Sequence, residues 1–180
     1  MGAFSLLGIS GSLRAEATNR KLIREAARLF DPETYIEADL MLPLYDGDAE
    51  AADGVPPKVQ TLADQIASAD AVVISTPEYN KGPSGALKNA LDWVSRTDSN
   101  PWANKPVAVM SAAAGRAGGE RAQMVLRGFM VPFRPRILQG PEIHLASSSH
   151  EFDENGRLKS DRYLETLQEL MDGLKEEVGR

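Results

Sequence analysis

Short apolar runs of strand length, each followed by a segment with helical periodicity, constrain the fold of this chain more than any other feature. "DAVVIST" (70–76) is the clearest, with Ala71 to Ile74 unbroken and Pro77 ending the run. A run without polar alternation belongs to a strand covered on both faces, the habit of parallel sheets. "AFSLLGI" (3–9) and "KPVAVMSAA" (105–113) read the same way, and "TYIEADL" (34–40) is a shorter β-branched and aromatic stretch. The fifth strand is split around "RIL" and "EIHLA".

Between these runs the period changes to that of a helix. Asn19 to Phe30 carries Leu22, Ile23, Ala26, Ala27, Leu29 and Phe30 at helical spacing, with Asn19 as the expected N-cap and Pro32 as the stop. Further helices are expected over 57–68, 84–96, 119–129 and 161–178. The last has one apolar stripe from Tyr163 to Val178. Residues 41–57, "MLPLYDGDAEAADGVPP", read as a long loop placed to cover part of a site. Five strands alternating with five helices give an α/β chain with a doubly wound parallel sheet, covered on both faces in three α/β/α layers. The 180 residues suit one domain over 1–180.

Composition excludes several classes of function. With no cysteine there is no disulfide, thiolate metal site or cysteine nucleophile. A net charge of −6 makes the chain a poor partner for a nucleic-acid backbone. The two histidines, His144 and His150, have no carboxylate spacing that makes a metal site. No apolar run reaches the roughly 20 residues of a membrane span. "MGAFSLLGIS" has neither the basic start nor the long apolar stretch of a secretory signal, and Leu6 stands where a myristoylation site wants Ser or Thr. The expected location is the cytoplasm, with no membrane partner.

Chemistry concentrates in three polar, glycine-bearing segments, each just after a predicted strand: 8–19, 77–85 and 111–120. In a parallel sheet these share the carboxyl edge, where ligands of such folds sit. The first reads "GISGSLRAEATN". Its backbone amides, the N-terminus of the following helix, the hydroxyls of Ser10, Ser12 and Thr18, the amide of Asn19 and the guanidinium of Arg14 together suit an anion. It is neither a Walker loop nor a GxGxxG fingerprint. The second, with Pro77, Glu78, Tyr79 and Asn80, offers amides and an aromatic to a flat heterocycle, or is an ordinary strand-to-helix turn. The third, "SAAAGRAGGERAQ", has small residues from Ser111 to Gly119 that permit close approach to the backbone, or is a surface loop.

"GSLRAEATN", "PEYNKGPSGALKNALDW" and "SAAAGRAGGERAQMVLR" together resemble the NAD(P)H-dependent FMN reductase family, a flavodoxin-like group that includes chromate- and quinone-reducing enzymes. The resemblance runs from about Phe4 to His144. It implies a flavodoxin-like sheet of order 2-1-3-4-5, bound FMN, and a homodimer or homotetramer. It implies that Ser10, Ser12, Leu13, Arg14, Thr18 and Asn19 hold the FMN phosphate. It also implies that Pro77, Glu78, Tyr79 and Asn80 border the isoalloxazine, and that Ser111 and Gly115 close the far side. The chain departs from the family pattern at Thr18, where Ser is usual. It departs again at Lys81 to Gly85, where an aromatic-Ser-x-Pro-Gly run is usual.

The implied activity is transfer of electrons from NADPH or NADH through FMN to a small-molecule acceptor: flavin, quinone, chromate or an azo compound. No side chain is expected to act as acid or base, because the cofactor carries the chemistry. The alternatives are a non-catalytic, flavodoxin-type electron carrier and a reductase that releases reduced FMN as product.

Overall fold

The computed structural model describes residues 4–180, so the expectations that fall on Gly2 and Ala3 lie outside the described residues. Strands β1 (Ser5–Ser10), β2 (Thr34–Glu37), β3 (Ala71–Thr76), β4 (Pro106–Ala112), β5 (Arg136–Ile137) and β6 (Ile143–Leu145) form one sheet. Its order is β2-β1-β3-β4-β5, with β6 also paired to β4 and every pairing parallel. The expected order and the split fifth strand are both present. β5 pairs with the start of β4 and β6 with its end.

Helices α1 (Thr18–Phe30), α2 (Gly47–Asp53), α3 (Pro57–Ser68), α4 (Gly85–Val94), α5 (Glu120–Met130) and α6 (Asp161–Val178) flank the sheet. The pleat sends alternate side chains into two separate cores. On one face Leu7, Ile9, Val72, Ile74, Val107 and Val109 pack under α3, α4 and α5. On the other Leu6, Ala71, Val73, Ala108 and Met110 pack under α1 and α6. This double coverage is why β3 and β4 carry no polar alternation; every residue of both is buried.

Two local expectations are corrected. Asn19 is not the N-cap of α1: the helix begins one residue earlier, Ala17 takes the cap position, and no side chain caps it. Residues 41–57 are not all loop, since 47–53 form α2, capped by Asp46, whose carboxylate accepts the Asp48 amide at 2.9 Å. None of α2 is buried, so its sequence shows no apolar stripe. The segment is instead latched to α4. The Pro43 carbonyl accepts from Asn89 and Trp93, both at 2.8 Å, and Tyr45 meets the Trp93 ring edge-on at 5.0 Å.

A second latch holds the chain beyond β6. Glu25 of α1 is 1% exposed, and its carboxylate accepts from Arg28 at 3.1 Å, Arg157 at 2.8 Å and the Leu158 amide at 3.4 Å. The last two lie at one end of the Phe152–Leu158 bridge, so one carboxylate anchors that excursion to the helix. Burial alone would raise the Glu25 pKa. The bonds from Arg28 and Arg157 outweigh it and hold the carboxyl below its ordinary value of 4.5. A carboxyl depressed on folding contributes stability above its unfolded pKa and loses it as pH falls through the folded one. Stability is therefore expected to decline as pH drops below about 4.5, the ordinary value. Glu25→Gln should flatten that acid limb, as read from urea midpoints measured across the range.

Candidate functional site

β1, β3, β4 and β6 all end at the same edge, and the segments that follow them surround a cavity of about 290 Å³. Its lining includes Ser12, Arg14 and Thr18 after β1, Pro77 to Tyr79 after β3, Ala112 to Ala114 after β4, and Ser148 with Ser149 after β6. Four strand ends, not the three read from the sequence, thus contribute to the edge where ligands of parallel sheets sit.

The loop after β1 is built to keep donors free. Gly11 bonds the Ser75 carbonyl at 2.8 Å, and a side chain there would lie 2.9 Å from Pro77, so glycine lets the first two loops touch. Ser10 Oγ donates to the Ser12 carbonyl and accepts the Ser12 amide, which folds the loop back on itself. From Leu13 to Asn19, among the described residues, only the Ala17 amide is engaged, donating to the Arg14 carbonyl at 3.2 Å. The first turn of α1 holds no acidic residue. An uncapped helix start with free amides and a positive macrodipole end suits an anion.

Asn19 fixes where that helix start points. Its Oδ1 accepts from Ser75 Oγ at 2.7 Å and from the Ala112 amide at 3.1 Å, while Nδ2 donates to the Ala112 carbonyl at 3.0 Å. It is 3% exposed. The carboxamide therefore ties α1 to the ends of β3 and β4, and its remaining contribution to the cavity is its backbone amide.

After β3 the chain makes a tight hairpin, with Tyr79 and Gly82 exchanging backbone bonds at 2.9 and 3.1 Å. Asn80 and Lys81, the two turn residues, both have left-handed backbone, φ 50° and 67°. This leaves Tyr79 exposed at the cavity rim. Glu78 turns its carboxylate to the Ala122 amide at 3.3 Å and so caps α5 from another loop. Ser84 Oγ caps α4 and donates to the Gly11 carbonyl at 2.5 Å, closing the link back to the first loop.

Beneath the third loop, Gly118 has φ 60°, and a side chain there would lie 2.4 Å from the His144 carbonyl. Only glycine permits this approach. Ser111 is wholly buried, donating to the Gly118 carbonyl at 2.7 Å and accepting from Gln123 at 3.0 Å.

Of the residues singled out from the sequence, Ser12, Arg14, Thr18, Asn19, Pro77, Glu78 and Tyr79 meet at the cavity. Ser10, Leu13, Asn80, Ser111 and Gly115 stand outside its lining. Ser10 and Ser111 support loops, Leu13 is exposed, Asn80 forms the hairpin tip, and the Gly115 carbonyl accepts from the Gly118 and Ser147 amides. Ala17, Ala112 to Ala114, Ser148 and Ser149 also line it and were not singled out. The signal for the serines was present: "SSS" (147–149) directly follows the strand "EIHLA". The 41–57 segment contributes nothing to the lining; its bonds run to α4.

Asn19→Ala should orphan a buried hydroxyl, a strand amide and a strand carbonyl together. The expected cost is about 2–4 kcal/mol of stability, read from urea unfolding, against less than ~1 kcal/mol for Thr18→Ala.

Known proteins resemble this chain in sequence and in fold. The sequence profile described as NADPH-dependent FMN reductase matches residues 4–149. An NAD(P)H-dependent FMN reductase of Pseudomonas aeruginosa is 42% identical over 172 residues, 94% of this chain and 92% of that protein. A quinone reductase of Escherichia coli is 39% identical over 135 residues, 73% of this chain and 72% of its own. Among solved structures, FerB, a flavoenzyme NAD(P)H:(acceptor) oxidoreductase from Paracoccus denitrificans, superposes with a TM-score of 0.87 at 28% identity, covering 98% of this chain and 97% of that one.

Proposed function

Because the chain belongs to the NADPH-dependent FMN reductase family, and is thereby an oxidoreductase that uses FMN and a nicotinamide cofactor, we propose that the cavity at the carboxyl edge seats the FMN and that a quinone or free flavin is the acceptor. The observation that carries this reading is the open start of α1. Free amides from Leu13 to Asn19, all but that of Ala17, stand beside Arg14, with no acidic side chain in the first turn. That donor set fits a phosphate dianion.

In this reading Ser12, Thr18, Arg14 and the backbone amides of Leu13 and Asn19 hold the phosphate, and Ser10 and the Asn19 side chain keep those donors in place. Pro77, Glu78, Tyr79 and Asn80 border the ring, while Ala113 and Ala114 let it approach the backbone. Ser111 and Gly115 brace the far loop. Bound FMN supplies the redox chemistry, accepting hydride from the nicotinamide and passing electrons on. The protein's part is binding and orientation. The one carboxylate of the lining, on Glu78, is turned to an α5 amide rather than free for proton transfer. NADPH is the proposed donor, with NADH as the other candidate, and FMN stays bound through turnover.

The reading treats 1–180 as one FMN-binding domain, working in the cytoplasm as a homodimer or homotetramer. Quinone as acceptor follows the E. coli relative, a quinone reductase.

Two experiments test the reading. An absorption spectrum of the purified protein, titrated with NADPH without oxygen, should show a flavin band that bleaches. Absence of flavin, with no NADPH oxidation when FMN and a benzoquinone are added, would sink the reading. Arg14→Ala should weaken FMN about 10–100-fold, as loss of a charge-assisted bond predicts. The far-ultraviolet circular dichroism of the variant should match the parent.

A further inference from the structure

The cavity has a wall that the three glycine-bearing loops do not supply. β6 ends at Leu145, and Ser147, with φ 46°, turns the chain into a single helical turn over 148–150. The Ser148 amide donates to the Ala113 carbonyl at 3.1 Å and the Ser147 amide to the Gly115 carbonyl at 3.4 Å. The wall is thus fixed to the loop after β4, not to solvent.

Ser148 is 4% exposed, and its Oγ lies 2.9 Å from Oγ1 of Thr18, the first residue of α1. Two hydroxyls carry two protons, and their mutual bond uses one. Neither oxygen has another partner among the described residues. Whichever hydroxyl accepts, its own proton is left over, in a part-buried place beside the free α1 amides and Arg14. Leaving a buried donor unused costs about 1–3 kcal/mol. An anion at the helix start would take it up.

We infer that Ser148 is a phosphate-binding residue: paired with Thr18, it presents a hydroxyl proton to the terminal phosphate monoester of the bound cofactor. The pair works as a unit, because Thr18 can aim its proton at the phosphate only while Ser148 accepts nothing from it, and the reverse. This inference rests on the reading that the cavity seats the FMN phosphate.

The test compares FMN with riboflavin, which lacks the phosphate, by fluorescence titration of the full chain freed of flavin. Ser148→Ala and Thr18→Val should each weaken FMN less than about threefold, because the surviving hydroxyl keeps a proton for the phosphate. Riboflavin affinity should stay within about twofold, which also reports an intact fold. The double variant should weaken FMN about 3–10-fold, more than the product of the two single losses, because it alone removes both protons. Unchanged FMN affinity when Ser148→Ala is added to Thr18→Val, equal weakening of FMN and riboflavin, or losses that merely multiply would each overturn the assignment to Ser148. A parent protein that binds riboflavin as tightly as FMN would overturn the reading beneath it.

Discussion

The arrangement at the carboxyl edge depends on one carboxamide. Asn19 bonds Ser75 Oγ and both backbone groups of Ala112, so a side chain from α1 supplies strand-end partners to β3 and β4 at once. A sheet edge leaves such groups without ladder partners, and burying them unpaired is costly. The same three bonds set the position of the helix start. α1 enters at a fixed distance from β4, and its first-turn amides face the gap between the loops. A sheet-stabilising interaction and an anion seat thus share one residue. This explains why the Asn19 side chain is withdrawn from the cavity it helps to form.

The electrostatics of that seat stand out against the other helices. α2, α4 and α6 take caps from Asp46, Ser84 and Ser160, and α5 takes one from Glu78. α3 opens on Pro57, which has no amide proton to satisfy. α1 has neither device: Ala17 offers no acceptor, and the preceding amides are free. An open helix end in a chain that closes the others concentrates positive potential at one place, and Arg14 adds a full charge there.

Much of the fold was legible because burial on both faces leaves a direct trace in sequence. The unbroken runs at 71–74 and 107–110 could be nothing but central strands, and α3 and α6 were bounded by Pro57 and by a long stripe. α2 was not legible, since a helix with no buried residue has no stripe, and its Asp46 cap sits in a segment rich in turn formers. At the site, the residue types are legible in the sequence but not their allegiance. Hydroxyls and amides serve a ligand and a loop equally well, and only geometry shows that Ser10, Ser111 and the Asn19 carboxamide serve the loops. Ser148 is harder to place: the serine run after the strand is visible, but its partner Thr18 lies 130 positions away, and no local pattern marks a contact of that range.

The two ends of the cavity are stabilised in opposite ways. At the α1 end every fixed atom is held by bonds between loops: Ser84 to Gly11, Ser148 to Ala113, Asn19 to Ala112. At the Tyr79 end the chain instead carries strain. A two-residue turn with both φ values positive favours Asn-Gly, yet here Asn80 is followed by Lys81, and Gly82 comes one place too late to relieve it. A non-glycine residue in that region costs on the order of 1 kcal/mol. The Tyr79–Gly82 bonds keep the turn closed against that cost, and the result is an aromatic ring held out at the rim. Rigid anchorage at one end and a tensed, exposed aromatic at the other suit a site that must retain one molecule while admitting others past it.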